Sequence, residues 1–188
     1  MRISCDCGTF KAELTSFPKN TPGRLVCYCK DCQDFLKKID RTDVLDSYGG
    51  TEVIPAYPKE VKILEGQSSL KCYRLSPKGL NRWATSCCNS PILNSRPDFP
   101  WAGIYHTAYK NHDPKALSIL GDIKSRIFGR DAIDGSPHKI SHKIGFRDFL
   151  VVMPFIIKGK IKKMNQPFAL YKSDNSTPVS EPILLDKN

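Results

Sequence analysis

Cys27-Tyr28-Cys29-Lys30-Asp31-Cys32 packs three thiols into six residues. The C-x-C-x-x-C spacing lets side chains from one turn reach a single ion at the ~2.3 Å of a zinc–thiolate bond. Two further clusters flank it, Cys5-Asp6-Cys7 upstream and Cys87-Cys88 downstream, while Cys72 stands alone. The opening residues, Met1-Arg2-Ile3-Ser4-Cys5, carry no apolar stretch of signal-peptide length, so the expected setting is a reducing cytoplasm. Clustered cysteines in such a compartment bind metal or do redox work more often than they pair as disulfides. Zinc is the default ion for an all-thiolate set, and an iron–sulfur cluster is the runner-up.

A tetrahedral zinc takes four ligands, so the clustered cysteines divide into two sites. Cys27, Cys29 and Cys32 form a three-ligand set with a free position, the form that catalytic zinc keeps. Cys5 and Cys7 need remote partners, and the Cys87-Cys88 region supplies them, stapling the start of the chain to its middle. Neighbouring side chains on an extended strand point to opposite faces, so Cys87 and Cys88 share an ion only across a tight turn. Asn89-Ser90-Pro91 carries turn chemistry, and Cys88 is the first choice should one of the pair serve alone. Cys72 lies in the alternating run Leu70-Lys71-Cys72-Tyr73-Arg74-Leu75 and reads as a buried, inert thiol on a strand.

At 188 residues, with 40% hydrophobic and 26% charged residues, the chain suits a single ordinary domain core without disulfides. No apolar run approaches the ~20 residues of a membrane-spanning helix. Residues 8 to about 107 read as short strands, among them Thr9–Leu14, Glu52–Ile54, Val61–Leu64 and Ala102–Tyr105, with a short helix over Asp31–Lys38. Beyond Asn111 the apolar period lengthens. Leu117, Leu120, Ile123 and Ile127 predict an amphipathic helix over Pro114–Phe128, and Phe146 to Met164 repeats the helical spacing, with Pro154 expected to kink it. The expected division is a β domain over 1–110 with a basic helical extension and tail over 111–188 packed on it. Between Lys124 and Lys163, ten Lys/Arg and three Asp place +7 of the formal +10 charge. That stretch is either a solvated helix or a face for nucleic acid or another anionic partner. His138 and His142 stand i, i+4 without an accompanying carboxylate motif and are weak metal candidates.

The three cysteine motifs, with Cys88-Asn89-Ser90-Pro91-Ile92 as the last, resemble the glutathione-dependent formaldehyde-activating enzyme family, whose domain centromere protein V shares. The resemblance spans about residues 1–108 and implies a mainly β, Mss4-like (β-tent) zinc-binding fold. It implies a structural zinc on Cys5, Cys7 and Cys88 and a catalytic-type zinc on Cys27, Cys29 and Cys32. Characterised members are carbon–sulfur lyases that form or split S-hydroxymethylglutathione, so a small thiol such as glutathione is the expected partner. The family's later motif, C-x-x-C-G-[ST]-P, is altered here: Thr85 stands for its first cysteine and Asn89 for its glycine, with Cys87 as a shifted replacement ligand. The helical extension looks like that of a GFA-like branch with a Cys-Cys pair. A zinc on three thiolates carries a net charge of about −1 and suits holding a fourth thiol as thiolate better than polarising a carbonyl. Lys30, Arg74 and Arg82 are the candidates to hold that partner's carboxylates. The alternative function is a non-catalytic, zinc-stabilised binding module that uses the basic C-terminal face.

Overall fold

Short runs with a two-residue apolar period fold as strands, and the computed structural model, which describes residues 1–17 and 21–185, gathers them into two sheets. The small sheet holds β1 (Arg2–Ser4), β2 (Lys11–Leu14) and β5 (Val61–Glu65) in that order, all antiparallel. The large sheet runs from β10 (Ile123–Ile127) through β3 (Arg24–Cys27), β4 (Thr51–Ala56) and β9 (Ala102–Tyr105) to β8 (Pro91–Ser95). It continues with β7 (Asn81–Thr85), β6 (Leu70–Arg74) and β11 (Ile183–Leu184). Both edge strands are parallel to their neighbours, and the interior pairs are antiparallel. The chain is therefore mainly β.

Strands β7, β8 and β9 are buried at every position because both faces of the sheet are covered there. On one side Trp83, Ile92 and Ile104 meet Ile3 and Leu14 of the small sheet and Phe10 just before β2. On the other, Ala84 and Tyr105 meet Phe35 and Leu36 of helix α1 (Lys30–Lys38), with Val151 and Val152 packed against them. Each of these large apolar side chains contributes about 2 kcal/mol or more by leaving water. Helices α2 (His106–His112) and α3 (Ala116–Ile119) cap the small-sheet side.

Helix α4 (Phe146–Ile161) forms where the helical period expected it. Its N3 residue Asp148 accepts the Gly145 amide at 2.8 Å and the hydroxyl of Ser125 on β10, which ties the helix start to the sheet edge. Farther along, Tyr57 stacks on Phe155 at 4.1 Å between centroids and donates its hydroxyl to the Phe155 carbonyl at 2.8 Å. Gly159 permits this approach, since a Cβ there would lie 2.6 Å from both Pro100 and Tyr57. Pro154 sits inside the helix on its exposed side, where the Leu150 carbonyl it leaves without an amide partner can be hydrated.

The helix expected over Pro114–Phe128 does not form as such. α3 supplies four helical residues, Gly121 then takes φ +68, and β10 follows in parallel register with β3. Leu117, Leu120, Ile123 and Ile127 fit the helical spacing, but Ile123, Ser125 and Ile127 also fit a strand, and pairing with β3 decides between them. The segment after 110 thus provides both edge strands of the large sheet as well as α4. Residues 186–188 of the expected tail lie outside the described residues. Among the described residues no helix is long and apolar enough to cross a membrane.

Asp148 gives a test of how α4 is held. Burial alone would raise its pKa, but hydrogen bonds from Ser125, Ser141 and Gly145 hold the carboxyl below its usual value. Its contribution is therefore present above the ordinary aspartate pKa and lost as pH falls through the lowered native one. Asp148→Ala should lower stability by about 1–2 kcal/mol at neutral pH in urea unfolding. The gap to wild type should close in acid; a gap independent of pH would contradict the assignment.

Candidate metal centres

The first cluster joins the two sheets. Cys5 and Cys7 follow β1 in a tight turn closed by the Gly8 amide on the Cys5 carbonyl at 3.1 Å, with Gly8 at φ +76, a conformation glycine adopts without penalty. Cys87 and Cys88 sit in the turn between β7 and β8, where Asn89 takes φ +52 and the Ser90 amide donates to Thr85 Oγ1 at 3.2 Å. This turn removes the strand constraint on adjacent side chains, so both cysteines of the pair face the same point. Sulfur separations are 3.6 Å for Cys5–Cys7, 3.9 Å for Cys5–Cys87, 3.3 Å for Cys7–Cys87 and 3.7 Å for Cys87–Cys88. All four sulfurs lie within 4.8 Å of one another. Sulfurs of a tetrahedral zinc site with ~2.3 Å bonds stand about 3.8 Å apart, so the donor set fits such an ion.

Its surroundings supply positive charge and amide donors. The Phe10 amide donates to Cys5 Sγ at 3.2 Å. Arg41, little exposed, bridges Asp6 and Asp43 at 2.9 Å each and donates to Ser90 Oγ at 3.4 Å. Burial pushes the Cys5 thiol up to about 12. Burial also works to raise Cys88, but the hydroxyls of Ser90 and Thr85 outweigh it and bring that thiol down to about 6.

The second cluster sits where the large sheet hands over to α1. Cys27 ends β3, Cys29 is the N-cap of α1 and Cys32 lies in its first turn. Cys27 and Cys29 sulfurs are 3.3 Å apart, and Cys32 and Cys27 are 3.8 Å apart. Among the described residues no fourth cysteine, histidine or carboxylate joins this group. Arg82 on β7, only 3% exposed, donates to Cys32 Sγ at 3.7 Å and lies over the Phe35 ring at 5.5 Å. Hydrogen bonds from the Cys27 and Cys29 thiols, with Arg82 beside them, hold the buried Cys32 thiol well below its usual range. A buried guanidinium needs an anion, and this cluster is its anion.

Cys27 and Cys32 also line a cavity of about 510 Å³ between the large sheet and α4. Leu25, Val53 and Trp101 form the sheet side and Val152 and Ile156 the helix side. Arg96 and Lys160, both exposed, stand at its rim, and Lys160 Nζ lies 5.9 Å from the centroid of Phe99. Of the residues expected to hold a partner's carboxylates, Lys30 pairs with Asp34 at 2.8 Å, and Arg74 binds Asn81 at 2.7 Å and the Pro77 carbonyl at 3.2 Å. Arg82 turns to Cys32 instead. Arg96 and Lys160 carry no sequence signal, since only the fold brings α4 across the mouth of the cavity. Arg82 lies on β7, which is buried at every position, and a charged residue there needs a buried partner. Cys72 is fully buried in the core, where burial pushes its thiol up to about 12, as expected of an inert cysteine. His138 and His142 are exposed and join neither group.

A sequence profile described as a family of unknown function, DUF6151, matches residues 1–182. The chain belongs to DUF6151. Among solved structures, this DUF6151 chain is similar to the crystal structure of a Rhodobacter sphaeroides protein at a TM-score of 0.44 and 16% identity, over 65% of this chain and 97% of that one. No curated protein matches it.

Metal content follows from the two sulfur groups. Protein purified from metal-supplemented medium should carry two divalent ions per chain by native mass spectrometry. Cys87→Ser and Cys88→Ser should each remove one ion and cost more than about 3 kcal/mol of stability, because ligation at the inter-sheet site would be coupled to folding. Cys72→Ala should keep both. An ion count unchanged by Cys87→Ser would mean that Cys88 ligates without it.

Proposed function

We propose that both clusters hold zinc, that Cys5, Cys7, Cys87 and Cys88 form a closed structural site, and that Cys27, Cys29 and Cys32 form an open one that binds an outside thiol. On this reading the domain is a GFA-like protein with an Mss4-like fold, acting as a carbon–sulfur lyase on a thiol–aldehyde adduct. The observation that carries the proposal is the contrast between the groups: four sulfurs converge in one, while the other has three and faces a cavity.

Zinc bound to Cys27, Cys29 and Cys32 would supply a position for a fourth sulfur and keep that sulfur as a thiolate. The chain's own residues make this affordable. Arg82 brings a fixed positive charge to the cluster, so three thiolates, a divalent ion and the guanidinium would together be about neutral before the added thiolate enters. Apolar walls from β3, β4 and α4 offer water few partners near the position. In the lyase direction the carbon–sulfur bond of an S-hydroxyalkyl adduct breaks, its electron pair goes to sulfur, the hydroxyl proton leaves oxygen and the carbonyl forms. The products are thiol and aldehyde, and the reverse reaction joins them.

The alternative, an anion-binding module on the basic 124–163 stretch, draws less support. The outward side of α4 exposes Phe146 and Ile161 at 76% and 77%, an apolar stripe among the lysines rather than a polar track for phosphates.

Calorimetry with a small thiol tests the proposal. Metal-loaded protein should bind one thiol per chain and release about one proton as thiol becomes thiolate. Cys29→Ser or chelation of the labile ion should abolish the heat. Binding that survives Cys29→Ser would refute an open metal position.

A further inference from the structure

The walls of the cavity above the three-cysteine cluster do not match glutathione. Leu25, Val53, Trp101, Val152 and Ile156 line its body, and the polar side chains there are few. One of them, Asp148, is already engaged by Gly145 and Ser125. The amides of a peptide thiol would lose their water in such a space and find few partners, at a cost of kilocalories for each. A volume of about 510 Å³ is that of pockets that enclose whole small ligands. Sulfur chemistry lies at its inner end, on Cys27 and Cys32, and positive charge at its rim, on Arg96 and Lys160.

We propose that the cavity takes an anionic thiol with an apolar body, or the aldehyde adduct of one. The sulfur sits at the Cys27–Cys29–Cys32 cluster, the hydrocarbon lies between the sheet and α4, and the anionic group meets Arg96 and Lys160. The inference rests on the open-site reading above for its sulfur end and on the cavity alone for its apolar body. It makes α4 the element that selects substrate. Val152 and Ile156 face the ligand from the helix, while Tyr57, stacked on Phe155, and the Asp148 cap hold that helix at a fixed distance from the sheet.

The test compares 11-mercaptoundecanoate with 3-mercaptopropionate and with undecanoate, which lacks sulfur. Binding is read by calorimetry and by the fluorescence of Trp101 on metal-loaded protein. Each buried methylene is worth about a fourfold gain at full burial, and ordering the chain takes part of it back. The long thiol should therefore bind at least about 100-fold tighter than the short one. Val152→Trp, which fills the cavity, should remove that advantage and leave the short thiol within about twofold of wild type. Arg96→Glu combined with Lys160→Glu changes two exposed positions and should weaken the long thiol about tenfold. Equal affinities for the long and short thiols would overturn the apolar-substrate inference and leave the open metal site standing. Undecanoate binding as tightly as the long thiol, and unaffected by Cys29→Ser, would overturn the inference and the open-site reading together.

Discussion

The fold depends on sulfur atoms held closer together than free thiolates tolerate. Four of them, from a turn after β1 and a turn between β7 and β8, lie within 4.8 Å of one another across the gap between two sheets. Left as thiolates they would repel, and left as thiols they would join the sheets only weakly. On the proposed reading, a cation at their centre would turn that crowding into a tether worth many kilocalories and make the packing of Ile3, Phe10 and Leu14 on Trp83 and Ile104 conditional on it. Folding of the N-terminal half and metal capture would then be one event.

The same physics produces a different outcome at the second cluster. Cys27, Cys29 and Cys32 come from a single β3–α1 corner, so they tie no distant segments together, and a fourth sulfur is absent among the described residues. What stands beside them is Arg82, a buried cation, and an apolar cavity. A site that needed only stability would close with another cysteine. This one carries charge compensation and room, which is what the proposed external anionic sulfur would need.

Much of this was legible in the residues. The cysteine spacings divided the thiols into the groups that the structure brings together, and the period of Phe146 to Met164 located α4 to within a few residues. The strand setting of Cys72 pointed to a buried thiol, and Cys72 is buried on β6. Cys87 and Cys88 share one group, as the turn residues Asn89-Ser90-Pro91 allowed, and the positive φ at Asn89 makes that turn. Two features escaped, each for a physical reason. β10 was hidden because Ile123 and Ile127 satisfy both the helical and the strand period, and only the free edge of β3 selects between them. The cavity, with Arg96 and Lys160 at its mouth, arises from contact between segments some 60 residues apart, and no local pattern encodes that.

On the proposed reading, one metal centre is saturated by protein sulfur and the other is not. Zinc-edge X-ray absorption on the two-metal protein measures this directly, because it averages sulfur coordination over both ions. The account predicts an average midway between three and four sulfurs per zinc, rising to about four when an external thiol is added. Four sulfurs per zinc before any thiol is added would contradict it.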